Sequence, residues 1–235
     1  MLKLTLCCSM IMMALSFPVQ STAADMTGNA TVNKEIAFFK KAIKMYNRAS
    51  ELCALAKDDA SARQVAAEMD ELMTDLGAMS EADAPKIDPE QVTPELKALC
   101  DELANAVQRL NLAIKPNEQV LDAAIKAHQI SEVRKTLNAM ILDMENGSEK
   151  GFHKKYANTE QKNPLWNGEA DFAQKKNELI GMFKNAANVK DEACLFEDGD
   201  IAFTADNKTP PTYVVFSKKG GTWKFNIFRK KEGEL

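Results

Sequence analysis

The sequence predicts an α+β fold, in which an N-terminal antiparallel helical bundle is followed by helices packed on a four-stranded antiparallel sheet. Three observations predict it. Apolar residues recur at three- and four-residue steps from residue 33 to about 145, the period of amphipathic helices. From about residue 193 the period changes to two, which is typical of strands. The stretch YVVFSKKGGTWKFNIF, residues 213–228, alternates, turns on Gly-Gly and alternates again, as a β-hairpin does.

Residues 1–24 are predicted to be a secretory signal peptide. An apolar run begins at Leu4, directly after the positive charge of Lys3, and small residues lead to a cleavage site after Ala24. The run is shorter than the roughly 20 residues of a membrane-spanning helix, which favours cleavage over a retained anchor. We expect an exported protein, periplasmic or secreted, with no stable membrane span after cleavage. Residues 25–32 are expected to form a disordered leader.

Residues 33–130 are predicted to form the helical bundle. Four amphipathic segments are separated by turns or prolines, and they span about 33–57, 61–79, 93–115 and 117–145. Thr93 precedes Pro94 and Glu95, which is a strong helix start because threonine caps and proline suits the first helical position. A break of the last segment at Ser131 stays open. An unbroken helix would belong to both halves of the chain.

The number and spacing of the cysteines limit the redox chemistry that the chain can perform. Cys53, Cys100 and Cys194 follow the signal peptide, and the absence of a CxxC motif excludes thioredoxin-type chemistry and covalent haem attachment. In an up-down-up bundle the first and third helices run parallel, which would separate Cys53 from Cys100 by roughly 20 Å. A Cys53–Cys100 disulfide would then form only if the 80–93 loop recrosses the bundle. Three buried thiols are the favoured interpretation.

The helical half resembles the soluble b-type four-helix cytochromes of the periplasm. The shared features are a loop bearing proline and lysine and the helix start at Thr93-Pro94-Glu95 that follows it. In that family a methionine on the first helix and a histidine late on the fourth bind haem, so the resemblance implies Met45 and His128 as ligands. Met45 lies in mid-helix rather than near the start, and we therefore predict no cofactor and keep haem binding as an alternative.

Residues 131–228 are predicted to form the α+β module, and residues 229–235 a charged tail. A short helix over 147–156 and a longer one over 169–187 would cover a meander of about four strands. Turns containing Gly join the first strand to the second and the third to the fourth, and a loop over 206–211 joins the second to the third. The inward strand positions are predicted to be apolar and to carry no acid or base: Ile201, Phe203, Tyr213, Val215, Trp223 and Phe225.

This second half resembles the cystatin-like, nuclear-transport-factor-like cone fold of small bacterial envelope proteins. Three motifs carry the resemblance: Met144-Glu145-Asn146-Gly147 after a helix, Asp198-Gly199-Asp200-Ile201-Ala202 at a hairpin, and Gly221-Thr222-Trp223-Lys224-Phe225 near the end. The fold hosts isomerases, dehydratases and non-catalytic binders, so it does not decide the function. Its enzymes place an acidic or histidine base inside the cone.

Few residues qualify as site residues. His153 and Tyr156 are the nearest acid/base pair, since their i,i+3 spacing puts them on one helix face. Trp166 in a polar loop would plug the cone or line a binding surface. Candidate ligand-binding residues are Trp166, Tyr213, Trp223 and Phe225.

Composition excludes several function classes. The formal net charge of −4 and the lack of a basic stripe argue against nucleic-acid binding, and two histidines argue against a histidine-rich metal site. The favoured interpretation is a non-enzymatic protein that binds a protein partner or an apolar small molecule. The alternatives are a cone-fold enzyme, isomerase- or dehydratase-like, and a b-type haem-binding bundle.

Overall fold

The computed structural model describes residues 29–82, 92–147, 149–157, 169–197, 199–206 and 208–229. Helices and one antiparallel sheet make the fold α+β, with the helices first, as predicted. In the described part of the chain six helices are present: α1 Asn29–Leu55, α2 Asp59–Ala82, α3 Pro94–Ile114, α4 Glu118–Asn146, α5 Glu149–Tyr156 and α6 Glu169–Ala187. The four strands are β1 Leu195–Glu197, β2 Asp200–Thr204, β3 Thr212–Lys219 and β4 Thr222–Arg229.

The chain divides into two compact units, Met1–His128 and Gln129–Leu235. The division falls inside α4, two residues before the predicted boundary at 130/131. This helix continues through Ser131 without a break. The disordered leader expected over residues 25–32 is wrong for its last four residues, because α1 already begins at Asn29. No residue from Asn29 to Val32 interrupts a helix. No described helix has the length and apolar character needed to cross a membrane.

Local capping explains where two helices of the first unit begin. The hydroxyl of Thr93 accepts a hydrogen bond from the Leu96 amide at 3.2 Å, as the sequence predicted for α3. At the start of α2 the carboxylate of Asp58 accepts from the Ser61 amide at 2.8 Å, and the Ser61 hydroxyl accepts from the Asp58 amide at 3.1 Å. This reciprocal pair satisfies two amides that would otherwise lack a partner. The helix therefore begins earlier than the predicted start at Ser61.

In the first unit α1 packs against both α2 and α3. The short connection between α1 and α2 makes them an antiparallel hairpin. Three contacts join α1 to α3 and the turn after it, and the residue numbers increase together on both sides: Lys40 with Glu95, Asn47 with Arg109, and the Cys53 carbonyl with Asn117. Helices α1 and α3 therefore run parallel, as expected for an up-down-up arrangement.

The parallel course of α1 and α3 separates two of the cysteines. Cys100 lies close enough to Glu35 for that carboxylate to raise the pKa of its thiol, after the larger effect of burial. Cys53 is further along α1 than Glu35 by roughly 27 Å at about 1.5 Å per residue. A disulfide needs Cα atoms within about 7 Å. Cys53, Cys100 and Cys194 are free, and the Cys53–Cys100 disulfide left open above is not formed.

The second unit is a meander with sheet order β1-β2-β3-β4, and every neighbouring pair is antiparallel. Helix α6 packs on β2 and β3, and α5 packs on β4. The Asn185 side chain of α6 donates to the Ala205 carbonyl at 3.1 Å, just beyond β2. One apolar core lies between these helices and the sheet, and the rest of α4 contributes to it.

The register of β3 corrects the predicted inner face of the sheet. Residues directly opposite each other in antiparallel strands share a face. Phe216 lies opposite both Ile201 and Phe225, and these three side chains belong to the core. Tyr213 and Val215 alternate with Phe216 and therefore face the other side, which makes their predicted inward orientation wrong. Both faces of β3 are apolar around these positions, so alternation along the strand could not select one.

Candidate functional site

The core of the second unit is filled by its own aromatic rings. The ring centroid of Phe225 lies 5.4 Å from that of Phe152 and 5.6 Å from that of Phe183. These separations are those of packed aromatic pairs. In the described part of the chain no buried side-chain nitrogen or oxygen lacks a hydrogen-bond partner. The space that would hold a ligand in a cone is occupied here by side chains.

The sheet separates Tyr213 from two of the other predicted ligand-binding residues. Phe225 is buried in the core, and Trp223 is buried on the same face with the Lys218 ammonium 5.8 Å from its ring centroid. Tyr213 is half-buried on the opposite face of the sheet. Trp166 lies outside the described residues. Phe225 and Trp223 therefore act as core residues, and Tyr213 does not join them.

The predicted pair of His153 and Tyr156 lies on α5, where Tyr156 has a different partner. Its hydroxyl donates to Oδ2 of Asp143 at 2.6 Å, and the ammonium of Lys155 donates to the same oxygen at 2.6 Å. Burial, followed by the hydrogen bond to Asp143, raises the pKa of Tyr156. A tyrosine with a raised pKa stays protonated at neutral pH and is a poor base. The cluster fastens α5 to the end of α4.

Arg134 of α4 forms a second anchor that sequence reasoning missed. Its guanidinium donates to the carbonyls of Ala187 and Val189 and to the carboxylate of Asp191. The last carbonyls of a helix have no partner within the helix, and Arg134 supplies one at the end of α6. The sequence signal for this anchor was an arginine that stands among the apolar positions of α4. These three hydrogen bonds make Arg134 a structural anchor.

An open groove between α4 and α6 has a volume of about 440 Å³. Its lining combines apolar and hydrogen-bonding side chains: Asn138, Ile141, Leu142, Lys184, Ala187 and Asn188. Leu142 is 59% exposed, although leucine is normally buried. The ammonium of Lys184 contacts Oε1 of Glu145 at 3.2 Å at the rim. The sequence signal for this groove was Leu142 itself, which departs from the buried stripe of α4.

A second open groove, of about 520 Å³, lies between α1 and α3 of the first unit. Its floor is apolar and its walls carry charges, and the lining comprises Lys40, Ile43, Lys44, Asn47, Arg48, Glu51, Leu99 and Glu102. Neither proposed haem ligand lines it. Met45 is buried in the core of the first unit, and His128 is half-buried at the end of that unit.

Metal binding and similarity to known proteins offer no further guide. The described residues contain no group of three or more His, Cys, Asp or Glu side chains arranged to hold a metal ion. No protein-family model, no curated protein and no solved structure matches this chain. The function must therefore be inferred from the geometry of the chain itself.

Proposed function

We propose that the chain is an exported, non-enzymatic protein that binds a protein partner through the α4–α6 groove. The observation that carries this proposal is the exposed Leu142 beside Ile141 in a groove rimmed by Lys184 and two asparagines. Interfaces combine a small apolar centre with a polar rim that supplies hydrogen bonds. The signal-peptide pattern of the first 24 residues supports export.

The filled core favours a protein partner over an apolar small molecule. A drug-sized ligand is usually enclosed by a concave pocket, and the ring contacts of Phe152, Phe183 and Phe225 occupy the interior of the second unit. The α4–α6 groove is open to solvent and does not enclose a ligand in this way. We expect the partner to insert an apolar side chain beside Leu142 and to accept hydrogen bonds from Lys184 and Asn188.

The contacts of Tyr156 count against the enzyme alternative. That alternative needs His153 or Tyr156 as the acid/base group, and the hydroxyl of Tyr156 already donates its hydrogen bond to Asp143. The cystatin-like resemblance of residues 131–228 remains a prediction about the fold, and that fold suits a binder as well as an enzyme.

Site-specific photocrosslinking in cells of the source organism tests the proposal. A benzophenone amino acid at position 142 is expected to give a discrete adduct of fixed mass with one protein. The matched control is position 112, because Leu112 is an exposed leucine that lines neither groove. The variant Leu142→Asp, probed by a crosslinker at position 138, is expected to lose the adduct because it places a charge in the apolar centre.

Two results would contradict the proposal. One is the same set of adducts from positions 142 and 112, which would indicate non-specific collisions. The other is a small-molecule adduct in the native mass spectrum of the exported protein that is lost on denaturation, which would favour a ligand carrier.

A further inference from the structure

The exposed face of the α1–α2 hairpin carries both signs of charge. Arg48 of α1 forms a bidentate ion pair with Glu68 of α2, at 2.6 and 2.9 Å. Arg48 also lines the α1–α3 groove together with Lys40 and Lys44. Because Arg48 contacts Glu68 and also lines the groove, the cations of that groove and the acidic side of α2 lie on one face of the hairpin.

The sign of the charge differs between the two helices of this face. Lys40, Lys44 and Arg48 follow one another at successive turns of α1, and all are substantially exposed. On α2, Glu71 and Asp75 are exposed and follow Glu68 at steps of three and four residues, which puts them on the same side of the helix. The face is therefore basic along α1 from Lys40 to Arg48 and acidic along α2, and Glu51 of α1 is paired with Arg48 one turn further on.

Some of these charges have no ion-pair partner in the part of the chain that the structure describes. Among the described residues, Lys44, Glu71 and Asp75 make no ion pair or side-chain hydrogen bond. Arg48 and Glu68 are level with each other in the antiparallel hairpin. One turn back along α1 and one turn forward along α2 reach the same height, so Lys44 is nearly level with Glu71 and yet is not paired with it. Asp75 lies about one further turn along α2.

A face of this kind is complementary to itself. A two-fold axis parallel to the helices would lay α1 of one copy against α2 of a second copy, and it would preserve the height of every residue. Lys44 of each copy would then meet Glu71 of the other, twice in the assembly, with Asp75 of the other copy about one turn away. The four helices of two hairpins would form an antiparallel bundle.

We propose that the chain associates with a second copy of itself through this charged face of the α1–α2 hairpin. The proposal is independent of the partner-binding groove, which lies in the second unit. Exposed ion pairs are weak one by one and are screened by salt, so the dimer is reversible and loses affinity as ionic strength rises.

Sedimentation velocity of the exported protein tests the proposal over a concentration series at about 0.02 M and about 0.5 M salt, where screening differs strongly. The wild type is expected to dimerise at low salt and to dissociate at high salt. Lys44→Glu and Glu71→Lys are each expected to weaken dimerisation about tenfold or more, since like charges then face each other. An equimolar mixture of the two variants is expected to form a heterodimer, because both contacts are then restored.

The matched control is Lys97→Glu, which makes the same charge change on an exposed residue of α3 outside the face. It should dimerise like the wild type. A wild type that stays monomeric at low salt overturns the proposal. So does a dimer that is insensitive to salt and to Lys44→Glu, or a mixture of the two variants that remains monomeric. Circular dichroism of each variant checks that the helices are retained.

Discussion

Tyr156 and Asp143 meet through a 2.6 Å hydrogen bond that ties the short helix α5 to the end of α4. Lys155 adds a second donor to the same carboxylate oxygen, and its own carbonyl accepts from Lys224 of β4 at 2.6 Å. The Phe152 ring of α5 then reaches the core beside Phe225. These contacts place α5 between helix and sheet, although eight residues are too few for a stable isolated helix.

The first prediction concerns the coupling between Tyr156 and Asp143. Tyr156→Phe is expected to lower the free energy of unfolding by about 0.5–1.5 kcal/mol, the usual net contribution of one hydrogen bond. In a double-mutant cycle with Asp143→Ala, measured by urea denaturation, the two losses should be less than additive. Strictly additive losses would show that the two side chains do not interact in solution.

The second prediction is a pH dependence. The hydrogen bond from Lys155, and then that from Tyr156, lowers the pKa of Asp143. A lowered carboxyl pKa adds stability above the unfolded value of about 3.9, and this stability is lost as the pH falls through the native pKa. The difference in unfolding free energy between wild type and Asp143→Asn should therefore shrink on going from neutral pH to about pH 3.

The control for this pH dependence is Asp101→Asn. Asp101 is exposed and makes no ion pair in the part of the chain that the structure describes. Its effect on stability should be small at both pH values. A constant difference between wild type and Asp143→Asn across the range would show that Asp143 titrates normally.

The third prediction concerns Arg134. Arg134→Met is expected to destabilise the second unit by about 2–3 kcal/mol, because two carbonyls at the end of α6 lose a charged donor. The neighbouring Lys135→Met is the control, since Lys135 is exposed and should change stability by less than about 0.5 kcal/mol. If the two substitutions lower the unfolding free energy equally in chemical denaturation, Arg134 is not an anchor.

The fourth prediction separates the two faces of the sheet. Phe225→Ala should lower the unfolding free energy by about 3–5 kcal/mol, because it empties a packed aromatic site in the core. Tyr213→Ala, on the opposite face, should lower it by less than half as much. If the two substitutions cost the same, the register of β3 against β4 would be wrong.

The fifth prediction concerns the thiols. The three cysteines that follow the predicted signal peptide, Cys53, Cys100 and Cys194, are expected to react with a maleimide in denaturant without a reductant. In the native protein Cys53 should react slowest, since it is fully buried and burial raises the pKa of its thiol to about 11. Cys100 is half-buried and should react first. A denatured mass about two hydrogens lighter than the reduced chain would reveal an oxidised pair.

Local signals in the sequence located the helices and the hairpin. The threonine and proline at positions 93 and 94 predicted the start of α3, because capping depends on residues that are neighbours in the chain. The glycines at 220 and 221 both adopt positive φ, at 53° and 77°, as the turn between β3 and β4 requires. The change of apolar period near residue 193 likewise depends only on neighbours.

The candidate site could be predicted far less well. The apolar lining of a cone was inferred from alternation, and the face of β3 was assigned wrongly because Tyr213, Val214, Val215 and Phe216 are all apolar. Leu142 could have been noticed as an exception to the stripe of α4. Its neighbours across the groove, Lys184 and Asn188, are about forty positions away in the sequence and have no pattern that links them to it.

The sequence by itself determined the α+β order, the cap of α3 and the hairpin turn, because each depends on contacts between residues a few positions apart. The tertiary structure alone decided which strand face enters the core, that Tyr156 pairs with Asp143, and that Arg48 unites two helices in one charged face. Those outcomes depend on side chains brought together from distant positions. Such proximity is set by how whole elements pack, and no short-range pattern in the chain encodes it.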